Sequence, residues 1–410
     1  MEGAAEGIVA RGVLAPGAVV GRYVLGRRLA RGGMAELFLA KARGVAGFEK
    51  PCVLKLVLPH LADDRGFAEM FLAEARLAST LDHPNVVHVA DIGEVGGEYF
   101  FVMEYVHGRD VRALLRAQPG ALPLPAALTI AHGIAEGLHY VHEHRDADGK
   151  FLGLVHRDVS PSNVMVRFDG CVKLVDFGIA KATEQRNATR TGVLKGKVHY
   201  MSPEQCEGHA VDRRTDVFAL GILLYEMTTG RTLFAGANDY YVMSRIVRGI
   251  YARPREVDPT YPEMLERIVL RALSRHPADR YVSAQALQLD LEAFAREARI
   301  SLSPRVLAQT MLELFGDVPP LADDDETAPT TIHVGSSGAL AMAPAAAAPT
   351  DVLPMRPSAV RRPPRATRLQ GAVIALGLAL VTAGVGGYSL RRAFEDASTA
   401  ERDAADGGAS

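Results

Sequence analysis

The chain has 410 residues, 48% of them hydrophobic, with a formal net charge of −2 and three cysteines. That length accommodates one two-lobed catalytic region with appendages, and the near-zero charge offers no global field for nucleic acid. Cys52, Cys171 and Cys206 show neither metal-ligand spacing nor a disulfide framework; Cys52 and Cys171 lie in apolar runs and are expected as buried neutral thiols in a reducing compartment.

Residues 1–20 read as a disordered extension without the basic-then-apolar order of a secretory signal. Structure is expected to begin at Tyr23. Val24-Leu25-Gly26, then Leu29-Ala30-Arg31-Gly32-Gly33-Met34-Ala35-Glu36-Leu37, reads as strand, glycine turn, strand. Such a turn is either a hairpin without a ligand or a place where backbone approaches phosphate oxygens closely. Val53 to Leu58 has the pattern of a buried strand, interrupted by Lys55. An ammonium there either snorkels from an edge strand or meets an anion, because burying it alone is costly. Phe67 to Leu81 carries apolar residues at helical spacing and includes Glu74, which is either solvated beside Arg76 or turned inward.

Glu98 to Val106 reads as a strand, and residues 126–144 as a helix followed by a tight turn at Asp148-Gly149. His142 and His144 stand two apart with no further ligand cluster, so a metal site is not expected there. The most informative stretch follows: His156-Arg157-Asp158-Val159-Ser160-Pro161-Ser162-Asn163, then Val172-Lys173-Leu174-Val175 and Asp176-Phe177-Gly178. An acid and an amide five positions apart, with a second acid at the end of a short strand, suit an enzyme that orients a hydroxyl and holds Mg2+ on a nucleotide. A polar loop with Thr183, Thr189 and Thr191 leads to Met201-Ser202-Pro203-Glu204. A long apolar helix then opens at Arg214 and reaches Gly230, helices continue through about Glu297, and Ser303 to Leu314 is a further short helical pattern.

Beyond Asp317 the composition turns Pro- and Ala-rich, with the acidic run Asp323-Asp324-Asp325-Glu326, and residues 317–368 read as a disordered linker. Gly371 to Leu390 has no charge. At about 1.5 Å per residue these positions span about 30 Å, the thickness of a bilayer core. Arg361, Arg362, Arg365 and Arg368 precede the run and Arg391-Arg392 follow it. The heavier upstream charge predicts a single-pass helix in the cell inner membrane with the upstream region cytoplasmic and residues 391–410 as a short acidic extracytoplasmic tail. Ala379, Ala383 and Gly387 have a small-xxx-small spacing, a helix-pairing face that makes a homodimer a candidate state.

Taken together, HRD, an Asn five beyond its Asp, DFG and the following SPE resemble the bacterial Hanks-type serine/threonine protein kinases. The resemblance covers about two thirds of the chain. It implies an α+β fold, with a mostly β N-lobe (21–103) carrying one key helix and a mostly α C-lobe (107–298), extended by residues 299–316. It implies ATP and Mg2+ as cofactors and protein Ser/Thr hydroxyls as substrates. By resemblance, Asp158 is the acceptor or orienter of the substrate proton, Lys55 meets the α- and β-phosphates and pairs with Glu74, and Asn163 and Asp176 are the Mg2+ ligands. The nucleotide would contact Leu29, Ala30, Gly32, Gly33, Leu37, Val53, Met103, Glu104, Val106, Asp110 and Met165, with Met103 at the back of the adenine pocket and Asp110 at the ribose. Asp216 would anchor the catalytic loop and Arg280 would pair with Glu204. Thr183, Thr189 and Thr191 would be regulatory phosphosites, with Arg157 and Lys181 receiving the phosphate.

The chain departs from that pattern in three places. Ala30 and Ala35 replace two glycines of the phosphate loop. Ser160 stands where the common pattern has a lysine, and Lys197 follows Gly196 where it has a threonine. The expectation is an exchange, with Lys197 as the γ-phosphate cation and Ser160 as the hydroxyl. The alternative is a pseudokinase that binds nucleotide and signals by conformation.

Overall fold

Alternating apolar residues build an antiparallel sheet of six strands: β1 (Val19–Val20), β2 (Tyr23–Arg31), β3 (Ala35–Arg43), β4 (Glu49–Val57), β5 (Val89–Val95) and β6 (Glu98–Glu104), in the order β1-β2-β3-β4-β6-β5. The computed structural model describes residues 16–58, 61, 64–176 and 198–319. The chain divides into Met1–Leu340 and Ala341–Ser410, and everything described lies in the first unit.

The two-residue period of a strand assigns its side chains to opposite faces. In β4, Leu54 and Leu56 join one apolar cluster with Phe38, Phe100 and Val102, while Val53 and Val57 join another with Leu37, Phe71 and Phe101. Lys55 belongs by alternation to the second face, the one covered by helix α1 (Arg65–Ser79). Asp64 caps that helix, its Oδ1 accepting from the N–H groups of Gly66 (2.9 Å) and Phe67 (3.2 Å).

A second sheet, β7 (Gly108–Asp110), β8 (Val164–Arg167) and β9 (Val172–Leu174), lies on a helical lobe. Its helices are α2 (Val111–Ala117), α3 (Leu124–His142), α4 (Pro203–Cys206), α5 (Arg214–Thr229), α6 (Asp239–Arg248), α7 (Pro254–Val257), α8 (Glu263–Ala272), α9 (Ala284–Glu297) and α10 (Pro304–Phe315). α5 is buried on every side from Thr215 to Met227, as expected of a helix without a polar stripe, and ends at Gly230 in the left-handed region (φ 67°). α3 packs against α5, α9 and α10.

Several element boundaries differ from the sequence expectations. The fold starts at β1, before Tyr23: Val20 is fully buried, and Leu25 N–H donates to Ala18 O (2.8 Å). The strand expected over 98–106 ends at Glu104, and the helix expected over 126–144 is Leu124–His142. Cys52 is buried and donates its Sγ–H to Ala40 O (3.5 Å); burial pushes its thiol up to about 11. Cys171 is only half-buried, because it sits at the β8–β9 turn, where its N–H donates to Asp169 Oδ1 (3.0 Å). No helix among the described residues is long and apolar enough to cross a membrane, and residues 371–390 lie outside them.

Candidate active site

The site forms where the two sheets face each other. Lys55 Nζ donates to Asp176 Oδ1 at 2.9 Å and lies 3.8 Å from Glu74 Oε1. Burial opposes the ammonium charge, but the carboxylates of Asp176 and Glu74, and more distantly Asp158, outweigh it and hold the amine above its usual range. The lysine in an apolar strand therefore has a local reason: it is charged among anions from α1, from the catalytic stretch and from the end of β9.

The stretch His156–Asn163 is fixed by one buried carboxylate. Asp216 of α5 accepts from the N–H groups of His156 and Arg157, both at 2.8 Å, and pairs with His142 Nε2 at 2.8 Å. His142 is thus a structural partner of Asp216, while His144 Nε2 lies 3.0 Å from Thr80 Oγ1. Among the described residues no group of three His, Cys, Asp or Glu could hold a metal. Arg157 and Asp176 have left-handed backbones (φ 64° and 55°). Each costs about 1–2 kcal/mol for a non-glycine residue, so the surrounding bonds hold both against a local preference.

Above that anchor, Asn163 Nδ2 donates to Asp158 O and Asp158 Oδ2, both at 2.9 Å. Val175 N–H donates to Asn163 O (3.0 Å), which ties the amide to the strand ending at Asp176. Asn163 and Asp176 offer oxygen donors, the set a hard cation takes, so the side chains present suit Mg2+ held jointly with phosphate oxygens. Ser160 is buried, with its Oγ 3.1 Å from Ser162 Oγ. Lys197, Lys181, Thr183, Thr189 and Thr191 lie outside the described residues.

An apolar cleft opens beside Asp176, lined by Leu37, Val53, Val87, Met103, Glu104, Val106, Met165 and Val175. Six of these were singled out from the sequence; Val87 and Val175 were not, although Val175 directly precedes Asp176. Leu29 and Ala30 pack in the apolar cluster under the same face. The Glu104 carboxylate is engaged elsewhere, accepting from Lys173 Nζ (2.5 Å) and His88 N–H (2.9 Å). Asp110 is buried, and its Oδ1 caps α2 by accepting from Ala113 N–H (2.7 Å). In the β2–β3 turn, Gly32 N–H donates to Ala35 O (2.8 Å), and a Cβ at Gly33 would meet nothing within 4 Å.

Further back, Arg280 donates to Glu204 through Nη1 (2.7 Å) and Nη2 (2.8 Å), and Thr215 Oγ1 donates to Glu204 Oε1 (2.7 Å). Burial disfavours the Glu204 charge, yet Arg280 and Thr215 together keep the carboxyl below its ordinary range. Gln205 Nε2 donates to Arg157 O (3.0 Å), which joins this pair to the catalytic stretch.

A two-lobed cleft with this arrangement has counterparts. The chain is 45% identical over 280 residues to a tyrosine-protein kinase, MasK, of Myxococcus xanthus, covering 68% of this chain and 43% of that protein. It is 30% identical over 307 residues to the serine/threonine-protein kinase PrkC of Bacillus subtilis, covering 75% of this chain and 45% of that protein. It thus spans about half the length of these curated relatives. Its fold is similar to the crystal structure of a single-site mutant of the Mycobacterium tuberculosis PknI kinase domain, with a TM-score of 0.52 and 28% identity over 69% of this chain and 100% of that one. The sequence pattern of the protein kinase domain matches residues 23–291, the span that holds every site residue named above, and the chain belongs to that family.

Proposed function

We propose that the chain is an ATP-dependent protein kinase that transfers the γ-phosphoryl group to protein Ser/Thr hydroxyls. The observation that carries this reading is the joint placement of Lys55, Glu74 and Asp176 within one ion-paired group beside the Asp158–Asn163 pair. Phosphoryl transfer asks the protein mainly for positioning and charge neutralisation. Lys55 is held cationic for the α- and β-phosphates. The cleft from Val53 to Met165 takes the base between apolar side chains, and backbone groups of residues 104–106 face its edge. Packing within the chain does not demand glycine at Gly33, whereas close approach of a phosphate does. Asp158 orients the acceptor O–H and takes its proton as the oxygen bonds to phosphorus and the bond to the ADP oxygen breaks. Asn163 and Asp176 would hold Mg2+, which neutralises phosphate charge when bound.

Ser160 and Lys197 serve in this reading as the exchanged hydroxyl and cation. Phosphate on Thr189 or Thr191, with Thr183 a further candidate, pairs with Arg157, whose backbone is held by Asp216 and Gln205. Residues 371–390 form a membrane tether with the catalytic lobes on the cytoplasmic side, a reading supported by the uncharged run and its arginine flanks. Carbonate extraction of membranes from expressing cells tests it: full release into the wash contradicts a span.

The 45% identical relative named a tyrosine-protein kinase favours tyrosyl hydroxyls as a second reading of the acceptor. One experiment separates the readings. Radiolabelled γ-phosphate is offered from Mg·ATP to the full chain with a generic acceptor protein, beside Asp158→Asn. Label on wild type alone supports the kinase, and phosphoamino-acid analysis assigns the hydroxyl. No label on either protein, with nucleotide still bound, shifts the reading to a pseudokinase.

A further inference from the structure

Helix α10 lies beyond the matched kinase residues 23–291, yet it is docked rather than loosely attached. Leu307, Thr310 and Met311 are buried. Its first turn sits directly on the β8–β9 turn: a Cβ at Gly170 would lie 1.8 Å from Pro304 O and 3.0 Å from Ala308 N, so only glycine permits this approach. At its other end, Phe315 reaches the outer face of β7. The Arg109 guanidinium lies between two rings, 5.7 Å from the Phe315 centroid and 5.8 Å from Phe168. The Phe168 ring is also 4.7 Å from the His107 ring. Helix α10 therefore holds the β8–β9 turn at Gly170 and contacts β7 at Arg109.

Alternation along β7 shows what this grip holds. Arg109 pairs with Val166 and Asp110 with Met165. Successive residues face opposite ways. Asp110 and Met165 thus share the face toward the nucleotide cleft, which Met165 lines, while Arg109 presents to α10. A Cβ at Gly108 would lie 2.1 Å from Val166 O, so β7 packs closely against β8 there and is paired with it through Asp110. A backbone shift at Arg109 would carry its neighbour Asp110 and the paired Met165 of the cleft wall.

We propose that helix α10, Pro304–Phe315, is a clasp on the nucleotide site, with Phe315 acting from outside the matched kinase residues through Arg109, both as positioning residues that set nucleotide affinity. This rests on the nucleotide-binding reading above.

The test uses the full chain with Phe315→Ala, Phe315→Leu, Phe315→Tyr and Arg109→Ala, and the double variant Arg109→Ala/Phe315→Ala. Mg·ADP affinity is measured by calorimetry, ATP KM and kcat by steady-state transfer, and amide exchange over residues 105–112 by mass spectrometry. Loss of one guanidinium–ring contact should weaken Mg·ADP about five-fold in Phe315→Ala and Phe315→Leu, with kcat within about two-fold of wild type. Phe315→Tyr should restore affinity, exchange over residues 105–112 should quicken only in the weakened variants, and the double variant should be no weaker than the worse single one. Unchanged affinity and exchange in Phe315→Ala, or a strictly additive double variant, would overturn the clasp. Wild type that binds no nucleotide overturns the kinase reading instead, and the exchange data alone then decide whether α10 restrains β7.

Discussion

The carboxyl of Glu226 should make stability fall as pH rises through neutrality. It lies on α5, 5% exposed, accepting from Tyr200 O–H through Oε2 (2.7 Å) and from Leu233 N–H through Oε1 (3.2 Å). Burial pushes it up to about 7, and the two donated bonds only partly offset that rise. In the unfolded chain it returns to its ordinary 4.5. Between these values the native state holds a proton that the unfolded state has released, so stability is highest below the unfolded value and declines until the native carboxyl has ionised. The full loss is roughly 3 kcal/mol, most of it between about pH 5 and about pH 8. Glu226→Gln keeps an acceptor for Tyr200 and removes the titration. Urea unfolding of both proteins across that range should show wild type losing about 2–3 kcal/mol relative to the variant. A stability difference that is the same at both ends would refute the linkage. Tyr200 belongs to the turn Val198–Tyr200 that follows residues 177–197, and its bond to Glu226 changes character in the same window.

Other perturbations test other parts of the argument. Arg280→Met strands the Glu204 carboxylate in a site where Arg280 is 2% exposed, and should cost about 3–5 kcal/mol in urea unfolding; Glu204→Gln added to it should recover part of that loss. Asp216→Ala leaves the N–H groups of His156 and Arg157 and the His142 ring without their acceptor, for about 3–5 kcal/mol, and should lower kcat more than KM because Asp158 loses its footing. Gly170→Ala meets both the Pro304 carbonyl and a backbone at φ +86°; it should lower the melting temperature and weaken nucleotide binding as Phe315→Ala does, a result that a purely local strain would not produce. Lys55→Met should abolish transfer and also lower stability in urea unfolding, since it removes the cation shared by Asp176 and Glu74, the latter only 8% exposed; unchanged transfer would refute the phosphate-binding role of Lys55.

What the sequence made legible was what single residues report about themselves. The apolar runs around Lys55 and Asp176 marked strands, and a lysine inside one of them demanded an anion, which the fold supplies from α1 and from the end of β9. The spacing from Asp158 to Asn163 placed acid and amide within one turn of chain, and they are hydrogen-bonded. Pairs distant in sequence were legible only through the family resemblance, as with Arg280 and Glu204 or Asp216 and the catalytic stretch. Where the resemblance was silent, nothing local signalled the contact. Arg109 and Phe315 are each unremarkable in composition, Gly170 is one turn glycine among many, and Lys173 gives no hint that it ties Glu104 to Val86 O (3.2 Å). Periodicity reports whether a residue is buried, and not by what. The same limit explains Cys171, placed inward by its apolar neighbours but turned half outward because a β-turn interrupts the alternation there. The family pattern thus accounts for the distant pairs it names, while the contacts of α10, outside the matched residues 23–291, are ones that only the fold brings together.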